Sequence, residues 1–99
     1  MVNFRGRFLF QLKVTARDVK TPQDALAYMV ECELATLSRL VTIKRTPKCE
    51  LARHTAIAQR GIDWMLHFNM YVHTNSRAFD AAAAGGVQAW LDKIKHENS

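Results

Sequence analysis

One stretch, KTPQDALAYMVECELATLSRLV from Lys20 to Val41, restricts the fold of this chain more than any other. Thr21 is a residue type that caps helix N-termini, Pro22 suits a first helical position, and Asp24 stands where the acidic member of a shortened capping box belongs. Leu26, Val30, Leu34, Leu37 and Val41 then recur at steps of four, four, three and four, with Met29 and Leu40 widening the stripe. The spacing predicts a helix over 22–41 with one buried face. Such a helix needs apolar surface to lie on, and a chain of 99 residues has room for one modest core, so a single domain over 1–99 is expected.

Two other stretches alternate instead. In FRGRFLFQLKVTAR, Phe4 to Arg17, one side carries Phe4, Phe8, Phe10, Leu12 and Val14. The other carries Arg5, Arg7, Gln11, Lys13, Thr15 and Arg17, with Leu9 the one apolar intruder. In DWMLHFNMYVHT, Asp63 to Thr74, Trp64, Leu66, Phe68, Met70 and Val72 form an apolar row, against a second row with His67, Asn69, Tyr71 and His73. A period of two reads as a strand with one buried face, so strands are expected over 4–17 and 62–74. Between helix and second strand, Pro47 interrupts the chain, and CELARHTAIAQ fits a short helix as well as a strand. A strand over 51–59, turned through QRGID at Gly61, completes the simplest pairing.

Asn75 or Ser76 then caps a helix through RAFDAAAA. Gly85 and Gly86 interrupt it, and VQAWLDKIK carries a last amphipathic stripe of Val87, Trp90, Leu91 and Ile94 before a polar tail from about residue 96. The order strand-helix-strand-strand-helix gives an α+β fold: a small two-layer sandwich, with two helices on one face of a three-stranded, largely antiparallel sheet.

Composition narrows the function classes. At 48% hydrophobic and 23% charged residues the chain is a folding one, and its net charge of +5 favours an acidic partner, whether protein or nucleic acid. No apolar run reaches membrane-spanning length, and no cleavable leader follows the early arginines, so a cytoplasmic location without membrane attachment is expected. Cys32 and Cys49 are too few for a disulfide framework and match no metal-ligand spacing. There is no Gly-rich phosphate loop and no hydrolase or zinc-protease motif, so neither an enzyme nor a cofactor-binding protein is expected. Cys49 and His54 are a weak nucleophile–base pairing, and His67 and His73, six residues apart on a strand, would stand about 20 Å from one another, too far to share a metal. With the helices covering the apolar face, the open face would present Arg5, Arg7, Lys13, Arg17, His67, Asn69, Tyr71 and His73. Cations among stackable rings suit single-stranded RNA, and equally an acidic protein surface; an ordinary solvated sheet face has the same look. An exposed sheet edge also invites a homodimer.

The residues RFLFQLKVTAR, the later G-I-D-x-M-L-x-F at 61–68 and H-T-N-S-R-A-F at 73–79 resemble the small H-NS-antagonist proteins of T-seven-type podophages. That resemblance covers roughly Arg7 to Arg17 and Gly61 to Phe79. It implies a phage-encoded, non-enzymatic protein of the host cytoplasm that binds the nucleoid silencer H-NS, in a family also associated with RNA. The AAAAGGVQAWLDKIK segment departs from the family's charged tail, which leaves another host target, as for a counter-defence inhibitor, open.

Overall fold

Thr21 opens the first helix, α1, Pro22–Thr42, by the means its sequence suggests. Its hydroxyl accepts from the Asp24 N–H, and the Asp24 carboxylate accepts from the N–H groups of Thr21 and Lys20, so donors that a helix start leaves unpaired are satisfied reciprocally. The computed structural model describes residues 19–43, 45–70 and 76–97. The helix expected over 22–41 is therefore present, one residue longer. Its buried stripe runs through Ala27, Val30, Leu34 and Leu37, with Glu31 and Ser38 also buried, whereas Met29 lies outside it and is exposed.

Pro47, extended at φ −62° and ψ 145°, precedes a second helix of equal length, α2, Lys48–Phe68. Here the expected fold is wrong. Residues 51–59 and 62–68 are not strands, QRGID is not a hairpin turn, and among the described residues all regular structure is helical. The α+β sandwich is corrected to an all-α arrangement. The core-facing stripe of α2 is Leu51, Thr55, Ala58, Ile62 and Met65, at steps of four, three, four and three, with Ala58, Ile62 and Met65 wholly buried. Two of these side chains are small or polar, and the bulkier Ile57, Trp64, Leu66 and Phe68 lie off the stripe, exposed. That displacement of bulk from the core face produced the false period of two. The proposed strand over 4–17, and residues 71–74 of the second, lie outside the described residues.

Gly61 sits within α2, and a Cβ built on it would stand 2.6 Å from Val30 Cγ2. The glycine marks the place where α2 lies against α1. Val30 meets Gly61 while the later Glu33 meets the earlier His54, so the two helices run antiparallel across a short connection. Asn69 closes α2 in the left-handed conformation (φ 55°, ψ 47°), which Asn tolerates better than most side chains. Its N–H donates to Leu66 O, and the Met70 N–H donates to Met65 O, the paired bonds of a Schellman ending.

Ser76, itself buried, caps the third helix, α3, Arg77–Gly85, by accepting from the N–H groups of Ala78 and Phe79. Gly86 separates it from the fourth, α4, Val87–Glu97, at φ 90°, a conformation open to glycine. Its N–H closes α3 on Ala82 O and its carbonyl accepts from Trp90 N in the first turn of α4. Gln59 of α2 reaches across to accept the N–H of Val87, at 2.9 Å, and donates from its own amide nitrogen to Asp63. Val87, Trp90, Leu91 and Ile94 are buried, as their spacing predicted, and Phe79 packs with them and with α1 and α2 in one core.

Candidate functional site: an apolar groove edged by arginines

Of the eight residues expected to share an open face, Arg5, Arg7, Lys13, Arg17, Tyr71 and His73 lie outside the described residues. His67 and Asn69 do not form a row. His67 is exposed in the last turn of α2, with its ring edge-on to Phe68 at 4.6 Å, whereas Asn69 is the residue that ends the helix. With residues 62–68 helical, the sheet face expected to hold these residues is withdrawn, and so is the strand geometry that set His67 and His73 about 20 Å apart. Among the described residues no group of three His, Cys, Asp or Glu side chains is placed to hold a metal ion.

Cys49 and His54 are not brought together either. Five residues on a helix turn a side chain about 140° away. Cys49 is exposed in the first turn of α2, and His54 Nδ1 is bonded to Glu33 Oε2 of α1, an ion pair when the imidazole is protonated. That contact ties the two long helices together. On α1, the Tyr28 hydroxyl is pushed above its ordinary value, first by its hydrogen bond with Cys32 one turn on, then by its electrostatic interaction with Cys32 and by desolvation. Neither Tyr28 nor Cys32 faces the groove described next.

Two of the displaced bulky residues of α2, Ile57 and Trp64, come together in one place. Arg53, Ile57, Arg60 and Trp64 succeed one another at steps of four, three and four, so they form a strip along one face of α2. Leu26 and Met29 of α1 stand opposite, and Gly61 lies between, where the two helices approach closely. Together with Ala56 these residues line an open groove of about 440 Å³, made wholly by α1 and α2. Met29, Ile57 and Trp64 are 63%, 51% and 56% exposed, an unusual state for three large apolar side chains so close together. The two charged residues of the lining are both arginines, with no acid to answer them.

A hollow between α3 and α4 is larger, about 610 Å³, but its walls include Ala81, Ala84, Gly85 and Ala89, which offer little to grip. The α1–α2 groove has what interfaces favour: Trp, Met and Arg together, apolar at the centre and cationic at the side. The sequence carried this signal in the stretch that was hardest to read, as the strip at 53, 57, 60 and 64. Reading residues 51–59 as a strand dispersed it.

No helix among the described residues is long and apolar enough to cross a membrane. No protein-family model matches the chain, and neither does any curated protein or solved structure. The likeness to the phage antagonists thus rests on the quoted residues alone. Within the described part, those residues include the core members Ile62, Met65, Ala78 and Phe79, the close-packing Gly61 and the capping Ser76. They hold α2 and α3 in place more than they line the groove.

Proposed function

We propose that this chain is a non-enzymatic binding protein that captures an acidic host protein through the α1–α2 groove, with the nucleoid silencer H-NS as the first target to test. The observation that carries the binding reading is the exposed Met29, Ile57 and Trp64 beside Arg53 and Arg60. Burying apolar surface of this size against a partner is favourable, and a cationic edge steers an acidic partner onto it. The net charge of +5 acts in the same direction at longer range. The choice of H-NS is supported by the resemblance of residues 7–17 and 61–79 to phage antagonists of that protein.

The test is direct mixing of the purified chain with purified H-NS, followed by sizing of the mixture and by an assay of H-NS silencing on a reporter gene. A stoichiometric complex and relief of silencing are expected. A chain that leaves H-NS untouched, and instead purifies with nucleic acid removable by RNase, would overturn the reading in favour of RNA.

A further inference from the structure

The geometry points to a specific occupant for the groove: we infer that it seats an acidic amphipathic α-helix of the partner, laid along α2. The inference rests on the binding reading above and adds the partner's chemistry. Two helix walls with a groove between them form a seat for a third helix, the arrangement in which amphipathic helices are commonly bound. The apolar side chains occur at helical spacing on both walls, Ile57 and Trp64 seven residues apart on α2 and Leu26 and Met29 three apart on α1. Arg53 and Arg60 are also seven apart, which places their Cα atoms about 10.5 Å from one another on nearly the same side of the helix. Carboxylates seven residues apart on a partner helix have that same separation, so each arginine would meet one while the partner's apolar residues between them enter beside Ile57 and Trp64.

Charge decides among the possible occupants. A second copy related by a two-fold axis would bring this face against itself, arginine facing arginine with no acid in the lining. RNA would meet Trp64 as the one ring in a lining whose other apolar residues, Leu26, Met29 and Ile57, are aliphatic, where successive bases need several rings to stack on. An acidic helix satisfies the arginines and the apolar lining together.

The chain has two tryptophans, Trp64 in the groove and Trp90 in the core, which supplies the experiment. The full chain is titrated with a synthetic helical peptide of about fourteen residues, close to four turns, bearing leucines on one face and glutamates seven apart beside them. A blue shift in tryptophan emission is expected, absent in a Trp64→Phe chain that keeps Trp90. Arg53→Glu with Arg60→Glu, both exposed and each checked for unchanged helicity, should weaken binding by about tenfold or more, and a peptide with lysines in place of the glutamates should restore it.

No shift of Trp64, or binding indifferent to both charge reversals, overturns the inference. So does quenching of Trp64 by a short RNA in place of the peptide, or protection of Trp64 in the free chain through self-association or by its own remaining residues. H-NS bound equally by wild type and by the arginine reversals removes the groove and leaves the binding reading intact. The peptide binding as expected while H-NS does not bind has the opposite meaning: the groove stands and the target changes.

Discussion

Trp64 and Phe79 show how far hydrophobicity alone can mislead about a residue's place. The alternation around Trp64 predicts a core position, where truncation to alanine costs about 3–5 kcal/mol. In the structure more than half of Trp64 is exposed, whereas Phe79 is almost wholly buried among all four helices. Trp64→Ala should therefore change stability by about 0.5 kcal/mol or less, and Phe79→Ala should cost about 3–5 kcal/mol, enough to unfold much of a domain this small. Thermal melts of the two variants reverse in order if α2 is rotated from the position described. Gly61 gives a second check. Alanine there removes a helix-interior glycine, worth about 1 kcal/mol, but sets a methyl against the stiff side chain of Val30, and overpacking of that kind costs about 1–3 kcal/mol. A net loss of about 1 kcal/mol is expected. A Gly61→Ala, Val30→Ala chain should lose less than the sum of the two single losses by about 0.5 kcal/mol or more, because the clash disappears. Strict additivity in denaturant titrations would place the helices further apart.

At the scale of elements, two helices are expected from the sequence and the described residues hold four. α1 and the interrupted helical stretch that forms α3 and α4 are legible in the sequence and α2 is not, for a physical reason in each case. α1 carries its capping box and a stripe of large apolar residues; Ser76 and the Gly85–Gly86 pair bracket α3, and α4 repeats its apolar residues at three, one and three. α2 lacks a side-chain cap at its start, builds its core face partly from Thr55 and Ala58, and holds a glycine in its interior, so each local signal is missing or points elsewhere. The run Ala52, Ala56, Ala58 was the signal available: alanine is a strong helix former and is depleted in strands. The paired glycines separate by experiment. Gly85 is helical with no atom near its would-be Cβ, so Gly85→Ala should add up to about 1 kcal/mol. Gly86, at φ 90° and ψ 150°, has a backbone that alanine resists, so Gly86→Ala should cost about 1–3 kcal/mol. Equal effects at the two positions would mean that the break between α3 and α4 lies elsewhere.

For the molecule as a whole, the helical content is the simplest large-scale prediction. Far-ultraviolet circular dichroism should show the double minimum of α-helix as the dominant feature, and a spectrum dominated by the single minimum of β-sheet would contradict the structure. The 38 Å long dimension follows from the same elements, since a helix of twenty-one residues spans about 32 Å. Basic character was legible from composition, but its location was not. Charge counts carry no address, and four of the expected cations, Arg5, Arg7, Lys13 and Arg17, precede α1, whereas the arginines beside the groove belong to α2. The contact at Gly61 has one more implication, for how such a protein can change over time. The close approach of α2 to α1 that this glycine allows also sets how near the two walls of the groove stand to each other. Residues 53, 57, 60 and 64 can vary to follow an altered target at little cost to folding, while position 61 answers to folding and recognition at once. Variation among descendants of this sequence should therefore collect along the walls and spare the glycine between them.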